Sequence, residues 1–304
     1  MRVSVVVCTY TDDLYEHAQD TADAVLNQSY DEVELILISD GSESVYESMC
    51  ADYGNRSDVR VGYNKTNRGL SFSRNHGIEL ATGEIVAFVD DDAIPEPDWV
   101  ERLVTAYRER SAIAVGGKMT PIWIDEDPNF LPEEFYWLVG VTHRGFPDEV
   151  CEVRNTNGSN MSFRSMVLEE LGGFNEDLGR IGDRQVQGEE TELAVRMYEQ
   201  YDQRMWYIPT AKVGHKVFGY RTDRLWLLKR AFWQGYSKRV MSTFVDDTGS
   251  QESDFLKDLT VEFAPQRLVQ LIKEPSIKKL DQLGMLVALT VAVGCGFLYG
   301  VLRH

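Results

Sequence analysis

The sequence has few basic residues for its size. Its 304 residues include 31 Lys and Arg against 49 Asp and Glu, which gives a formal net charge of −18. This balance argues against a general basic face, and hence against nucleic acid as a partner. Acidic excess spread along the chain suits a protein dissolved in concentrated salt, where self-repulsion is screened, and it indicates a halophilic source.

Cysteine is also scarce, and several sequence signals are missing. The four cysteines have no Cys-x-x-Cys spacing, so neither a zinc site nor a disulfide framework is indicated. Near the N-terminus only Val3 to Val7 is apolar, which is too short for a signal peptide. No Gly-x-x-x-x-Gly-Lys-Ser/Thr motif occurs, which disfavours a P-loop kinase. From the missing signal peptide we expect the catalytic domain to be cytoplasmic.

Only one long uncharged apolar run is present, at the C-terminal end. No residue between Leu283 and Leu302 is charged. A helix of this length spans about 30 Å, the thickness of a bilayer core. Basic residues stand on both sides of the run, so its orientation is poorly determined. The prediction is one transmembrane helix over 283–302, in which Gly296-x-x-x-Gly300 could pack against another helix, and the alternative is a buried terminal helix.

The motif richest in chemistry joins a strand to three carboxylates. Ile85 to Val89 is apolar and runs directly into Asp90, Asp91 and Asp92, as in a buried parallel strand that ends in a negative site. In an extended chain Asp90 and Asp92 project to one side and Asp91 to the other. A hard divalent ion, Mg²⁺ or Mn²⁺, would offset the paired charges and share phosphate oxygens. An acidic turn solvated by water is the alternative.

Strands of about five residues alternate with helices through the first third of the chain, which predicts crossover units and a parallel sheet. Right-handed crossovers place the carboxyl ends of such strands on one edge. Thr9, Asp40 and the three aspartates of 90–92 should therefore line a common rim. After the aspartates we predict a helix with Asp98 as N-cap and Glu101 closing a capping box.

Four motifs stand together in this region: VSVVVCTY, the strand end Asp40-Gly41-Ser42, NRGLSFSRNHGI and FVDDD. In combination they resemble family 2 glycosyltransferases with the GT-A fold. The resemblance implies that Thr9, Tyr10 and Asp40 hold the nucleoside of a sugar nucleotide, with UDP favoured, although Asp40 could equally be a turn residue. The residues expected to bind the donor are Thr9, Tyr10, Asp40, Asn67, Gly69, Arg74, Asp90 and Asp91. Arg74 could instead be a structural ion-pair partner.

Three later stretches match the same family. Residues 157–164 correspond to a segment beside the bound sugar. Gly188-Glu189-Glu190 matches a Gly-Glu-Asp motif whose last carboxylate is the general base, which favours Glu190 and leaves Glu189 open; carboxylates in a first helical turn are also stabilised by the helix dipole alone. His215 matches a histidine that approaches the metal or the diphosphate, so the metal ligands implied are Asp92 and His215. A satisfied polar histidine is the alternative.

A basic stretch from Lys212 to Arg239 contrasts with the acidic remainder, and aromatic residues are interleaved with it. Such a pattern suits a helix at a lipid headgroup surface or a diphosphate site. An amphipathic core helix with a solvated basic face is the alternative. The aromatic residues between 121 and 149 are expected to fill a core or to face a membrane.

The expected organisation is an α/β GT-A catalytic domain over 1–215, followed by other segments. Residues 1–110 would bind nucleotide and 111–215 acceptor. Basic amphipathic membrane-proximal helices would occupy 216–282, and the membrane span 283–302.

The expected function is inverting, metal-dependent hexosyl or uronosyl transfer from a UDP-linked nucleotide sugar to a dolichyl-phosphate-type lipid-linked glycan. The setting would be archaeal cell-surface N-glycan assembly at the cell membrane. Two alternatives stay open: direct transfer to dolichyl phosphate, and a non-catalytic sugar-nucleotide-binding subunit. A polysaccharide synthase is disfavoured because Gln234-Gly235-Tyr236-Ser237-Lys238 departs from the Gln-x-x-Arg-Trp signature.

Overall fold

A nine-stranded sheet organises the residues that the computed structural model describes, which are 1–179, 188–242 and 255–303. Its strand order is β3-β2-β1-β4-β8-β6-β9-β5, with β7 paired to β9. Strands β3, β2, β1 and β4 are parallel, as predicted, and β8 joins β4 in antiparallel fashion. The strands are β1 (Val3–Thr9), β2 (Val33–Asp40), β3 (Val59–Asn64), β4 (Ile85–Asp90), β5 (Ala93–Pro95), β6 (Ala114–Trp123), β7 (Cys151–Val153), β8 (Met161–Arg164) and β9 (Met205–Val217).

Helices connect the parallel strands and continue to the C-terminal end. They are α1 (Tyr15–Leu26), α2 (Glu43–Tyr53), α3 (Leu70–Leu80), α4 (Trp99–Arg110), α5 (Ser165–Leu171), α6 (Glu189–Tyr201), α7 (Arg224–Met241), α8 (Ala264–Lys273) and α9 (Ile277–Arg303). A 3-10 segment, Glu133–Val139, lies between β6 and β7. The sheet is therefore flanked by helices, as the predicted α/β class requires.

Both faces of the parallel strands are buried, which explains their continuous apolar sequences. Val5 and Val7 share a core with residues of α1, α2 and α4. Val6 points to the opposite face, where a Cβ on Gly77 of α3 would come within 2.4 Å of it. Because α3 packs this closely on β1, the first residues of α3 lie near the carboxyl ends of the strands.

The turn after β4 differs from its prediction in two ways. A short strand, β5, precedes α4. The helix has Asp98 as its N-cap residue, but the Asp98 side chain makes no capping hydrogen bond and binds Arg102 instead. Glu101 accepts a hydrogen bond from Ser29 at 3.0 Å. The helix start was therefore predicted correctly, and the capping box was wrong, because neighbouring partners compete for both carboxylates.

The described residues form two compact units. The first contains Met1–Thr120, 147–179 and Glu189–Lys216. The second contains Pro121–Phe146, Gly188 and the described residues from Val217 onward. Its core collects side chains from the 3-10 segment, α7 and α9, among them Phe135, Leu227 and Leu289. Most aromatic residues of 121–146 pack on this core, in agreement with their predicted role as core residues.

Helix α9 contains the predicted uncharged run. It has 27 residues and a mean hydropathy of 2.2 in its most apolar part, of which 28% is buried. By length and composition it is a candidate membrane span. Its large exposed apolar residues include Leu280, Val287, Val291, Leu298 and Leu302, whose spacing places them on a single face.

Helices α7 and α9 run side by side in the same direction. Arg224 pairs with Asp281 near the start of both helices, and Gly235 contacts Val293 farther along. A Cβ on Gly296 would come 1.8 Å from the carbonyl oxygen of Phe232. The predicted small-residue motif of α9 thus packs against α7 of the same chain.

Candidate active site

Arg74 of α3 connects three parts of the first unit. Its Nη1 donates to Glu189 Oε1 at 3.0 Å, at the start of α6. Its Nη2 donates to Asp90 Oδ1 at 3.2 Å, at the end of β4, and to the Gly158 carbonyl oxygen at 3.2 Å. Arg74 is only 3% exposed. One buried guanidinium therefore brings together the FVDDD motif, the 157–164 stretch and the Gly-Glu-Glu motif.

The surroundings of Arg74 require ionised partners. A buried cation is strongly disfavoured unless opposite charges and hydrogen bonds compensate for lost water. The rings of Phe88 and Phe174 lie 5.9 and 5.4 Å from the guanidinium carbon and pack edge to face with each other beside it. Glu189 and Asp90 supply the compensating charge. These contacts match the alternative considered for Arg74, an ion-pair partner, and the predicted contact between Arg74 and the donor stays a prediction.

Glu190 lies beside this ion pair with different electrostatics. Burial and, next to it, the charge of the neighbouring Glu189 together raise its pKa to about 7, while Arg74 opposes both. A carboxylate with a pKa near the working pH is well suited to general base catalysis. Glu189 is instead held by Arg74. The geometry thus gives adjacent carboxylates separate tasks, with Glu190 as the candidate base.

Asp92 and His215 meet through strand pairing. Strand β4 ends at Asp90, so alternation along an extended chain does not apply to Asp91 and Asp92, which lie in the turn. Antiparallel pairing of β5 with β9 sets Ala93 opposite His215. The Lys216 amide donates to the Asp92 carbonyl at 2.8 Å. As a result His215 Nε2 lies 3.2 Å from Asp92 Oδ1, and both side chains are buried.

This pair can contribute to a divalent ion site. It offers one carboxylate oxygen and one imidazole nitrogen, and Mg²⁺ is commonly bound by one or two protein carboxylates with substrate phosphates completing its shell. Within the described ranges no three His, Cys, Asp or Glu side chains cluster closely enough to hold an ion. Among the described residues this pair could therefore supply two ligands, one oxygen and one nitrogen.

Asp40 caps the loop that leads into α3. Its carboxylate accepts hydrogen bonds from the backbone amides of Arg68 at 3.0 Å and Gly69 at 2.8 Å, and from Asn64 Nδ2 at 3.1 Å. Gly69 has a φ of 92°, a conformation that favours glycine. These contacts fix the position from which Arg74 projects. A contact between Asp40 and a nucleotide base stays a prediction.

The remaining donor-binding candidates lie at the same sheet edge. Register sets Thr9 opposite Ser39 and Cys8 opposite Asp90, so the carboxyl ends of β1, β2 and β4 meet as predicted. The Thr9 side chain is buried, and its hydroxyl has no hydrogen-bond partner among the residues described. Tyr10 is 57% exposed and Asn67 is also exposed. This rim therefore combines one buried polar group with accessible side chains that a ligand could contact.

Ser159 and Asn160, directly before β8, make contacts that the sequence did not reveal. The Asp90 amide donates to Ser159 Oγ at 3.0 Å. Asn160 is fully buried, accepts a hydrogen bond from Trp99 Nε1 at 2.9 Å and donates to the Ala211 carbonyl at 2.9 Å. These bonds fix the end of β4 and join it to α4 and β9. The polar run directly before an apolar strand was the available signal, but it did not identify the partners.

Comparisons with known proteins agree with this geometry. The family model described as glycosyl transferase family 2 matches residues 4–172. The glucosyl-dolichyl phosphate glucuronosyltransferase of Haloferax volcanii is 46% identical over 303 residues, covering 99% of this chain and 97% of that protein. A pre-mycofactocin glycosyltransferase of Mycobacterium tuberculosis is 27% identical, over 70% of this chain and 43% of that protein.

Two solved structures share the fold. The mannosyltransferase PcManGT from Pyrobaculum calidifontis, in complex with GDP-Man and Mn²⁺, superposes with a TM-score of 0.60 at 17% identity, covering 98% of this chain and 87% of that one. TarS 1–349 from S. aureus, in complex with UDP, gives 0.55 at 16% identity, with coverages of 96% and 81%. At such identities the likeness concerns the fold alone, and it confirms the predicted GT-A architecture.

Proposed function

Because the chain belongs to glycosyl transferase family 2, we propose that it transfers a sugar from a nucleotide sugar to a hydroxyl group of a dolichyl-phosphate-linked glycan, with inversion. One observation carries the mechanism: Arg74 binds Glu189 and leaves the adjacent Glu190 with a pKa raised by burial to about 7. A sugar hydroxyl is a weak nucleophile, so a base poised near neutral pH is the group that this reaction needs. Attack from the face opposite the leaving group gives inversion.

The donor would lie along the rim formed by the strand ends. Asp90 keeps about a third of its side chain exposed, at 32%, whereas Arg74 is nearly covered. Arg74 would therefore act on the donor through Asp90, which it orients, rather than by direct contact. The residues proposed to surround the nucleotide sugar, with UDP as the nucleotide, are Thr9, Tyr10, Asp40, Asn67, Gly69, Asp90 and Asp91.

Asp92 and His215 would hold Mg²⁺ or Mn²⁺. When bound, the ion would neutralise charge on the departing diphosphate. The hydrogen bond from the Lys216 amide to the Asp92 carbonyl oxygen fixes the turn that carries Asp92.

Two further observations support the acceptor and the membrane setting. The Haloferax volcanii relative matches nearly all of both chains and is named for glucuronosyl transfer to glucosyl-dolichyl phosphate. Its name favours uronosyl transfer to a hexosyl-dolichyl phosphate for this chain too, as a step in cell-surface N-glycan assembly. The exposed apolar face of α9 suits attachment to the cell membrane, with the catalytic residues on the cytoplasmic side.

Direct transfer to dolichyl phosphate is the second candidate. A phosphate nucleophile is already ionised at neutral pH and barely needs a base. The raised pKa of Glu190 therefore favours a hydroxyl acceptor. A non-catalytic nucleotide-binding subunit would have no use for such a carboxylate.

The test uses the purified full chain in detergent with Mg²⁺ or Mn²⁺. UDP sugars are screened against dolichyl phosphate and glucosyl-dolichyl phosphate, and the lipids are separated by mass. We expect glucosyl-dolichyl phosphate to gain one hexuronic acid and dolichyl phosphate to stay unchanged. Glu190→Gln should lower kcat by about 10²- to 10⁴-fold, the usual contribution of a general base.

Matched variants separate the assignments. Glu192→Gln changes another buried carboxylate of α6, one that pairs with Arg196, and should keep activity. Donor consumption that survives Asp92→Ala would contradict the metal assignment. Product formed on dolichyl phosphate alone would establish the second candidate and refute the first.

A further inference from the structure

A polar cavity of about 330 Å³ lies within the second unit, and none of its lining residues is among those assigned to sugar transfer. Its walls come from the segment around 127–136, from Arg144, from α8 and from the first two turns of α9. A volume of this size is enough for a small ligand.

Three cationic side chains line the cavity. Arg144 and Arg267 both bind the fully buried Glu134, with Arg267 Nη2 at 2.6 Å and Arg144 Nη1 at 3.3 Å. Lys278 on α9 adds a third cation, and its Nζ donates to the neutral Asn129 side chain at 2.8 Å. Two guanidinium groups therefore share one buried carboxylate, and the third cation has a neutral partner. Two further carboxylates, Asp127 and Glu133, also line the cavity; both are solvent-exposed, as Lys278 is, so water and salt screen their charges.

Hydrogen-bonding groups also remain available on the cavity walls. The side chains of Tyr136 and Gln270 line the cavity and make no hydrogen bond in the part of the chain that the structure describes. Burial raises the pKa of Tyr136 to about 12, so its hydroxyl remains a neutral donor. Together with the cations these groups favour an oxygen-rich anion.

The position along the chain relates the cavity to the membrane. Lys278 and Gln282 line it from α9, directly before the uncharged run that begins at 283. On α8 the cavity residues Arg267 and Gln270 stand on one face, and the opposite face exposes Leu268, Val269 and Ile272. An amphipathic helix of this kind lies with its apolar face in the headgroup region. The cavity thus lies on the side of α8 opposite its apolar face, and directly before the uncharged run of α9.

We propose that this cavity binds the phosphate group of a membrane lipid. The inference rests on the membrane attachment included in the proposed function, and it adds a second lipid-binding site on the chain. A phosphate monoester on dolichol and a phosphodiester of a glycerophospholipid present the same chemistry to Arg144, Arg267 and Lys278. Binding here would hold the lipid at headgroup depth beside α9.

The test compares two adjacent lysines. Lys278→Glu removes a cation from the cavity, whereas Lys279→Glu makes the same charge change at a residue that pairs with Glu274 outside it. Binding of the full chain is measured on phosphatidylcholine vesicles that contain either dolichyl phosphate or phosphatidylglycerol. We expect Lys278→Glu to weaken binding about tenfold more than Lys279→Glu, the effect of losing one charge-assisted contact. Gln270→Leu, which keeps the charge, should weaken binding too, and thermal unfolding checks that each variant is folded.

The lipid dependence identifies the source of the phosphate. A Lys278-specific loss on dolichyl phosphate alone assigns the cavity to the dolichol carrier, and a loss on both vesicles assigns it to lipid phosphates in general. Equal losses for both lysines, with Gln270→Leu unchanged, would reveal only general attraction to an anionic surface and overturn the proposal. Sugar transfer retained by Glu190→Gln would refute the proposed function while leaving a Lys278-specific result intact.

Discussion

At the residue scale, one buried guanidinium interacts with two neighbouring carboxylates, Glu189 and Glu190. Arg74 pairs with Glu189, and the charge of Glu189 in turn helps to raise the pKa of Glu190. Arg74 itself opposes that rise. The proton affinity of the proposed base is therefore a balance between burial, the like charge of Glu189 on the same helix and the opposite charge of Arg74 on α3.

The pH dependence of kcat/KM should report this balance. Glu190 acts only when deprotonated, so kcat/KM should rise with pH through about 7 and level off above it. Glu189→Gln removes a negative neighbour, lowers the pKa of Glu190 and should move the rising limb to lower pH. Arg74→Gln removes a positive neighbour and should move it to higher pH. Pre-steady-state rate constants measured at each pH give the rising part of this pH profile, and they do not depend on the fraction of enzyme that is folded.

Glu192→Gln serves as the control for these shifts. Glu192 is another buried carboxylate of α6, but it pairs with Arg196 and is not among the groups that perturb Glu190. The rising part of the kcat/KM profile of Glu192→Gln should coincide with that of the wild-type protein. Shifts of the same sign for Glu189→Gln and Arg74→Gln would contradict the assignment of Glu190 as the base.

At the element scale, the packing of α7 on α9 depends on missing side chains. Gly235 and Gly296 face the backbone of the opposite helix, and a Cβ at either position would come within 2.0 Å of a carbonyl oxygen. Such close approach lets Leu227 of α7 and Leu289 of α9 enter the same core. A pair of helices held this way keeps one apolar face of α9 exposed, which is the face proposed to meet lipid.

Two glycines of α9 provide a matched test of this packing. Gly296→Ala should destabilise the protein by about 1–3 kcal/mol, because the new methyl group overlaps Phe232 and forces the helices apart. Gly294 has no atom within 4 Å of the added Cβ, so Gly294→Ala should stabilise α9 by up to about 1 kcal/mol. Thermal unfolding in detergent should therefore give melting shifts of opposite sign. Equal shifts would mean that α7 and α9 do not pack as described.

At the scale of the whole molecule, the net charge of −18 sets the conditions under which the fold is stable. Ionic screening extends over about 3 Å in 1 M salt and about 10 Å in 0.1 M salt. Carboxylates on the surface therefore repel one another much more strongly when salt is removed.

The melting temperature should fall as the salt concentration is lowered from molar to 0.1 M. Sodium chloride and potassium chloride should act alike, because screening depends on ionic strength. A melting temperature that is the same at both concentrations would show that the acidic surface is not an adaptation to salt. Circular dichroism on the full chain in an uncharged detergent measures the effect.

The sequence by itself determined the features that depend on local pattern. Continuous apolar runs predicted the parallel strands, since strands buried on both faces must be apolar throughout, and crossover handedness predicted that Thr9, Asp40 and Asp90 meet at one edge. The uncharged run after residue 283 predicted a long apolar helix, which α9 confirms. The motifs of the first half identified the family before any contact was known.

Only the tertiary structure decided which side chains meet across long separations. Arg74 and Glu189 are 115 positions apart, and their ion pair, on which the proposed roles of Glu189 and Glu190 depend, follows no local rule. The contact between Asp92 and His215 depends on the register of β5 against β9, and the bonds from the loop before α3 to Asp40 depend on how α3 packs on β1. Local sequence fixes backbone preference and burial, but the partner of a charged side chain is set by packing between elements, because many polar groups compete for each one.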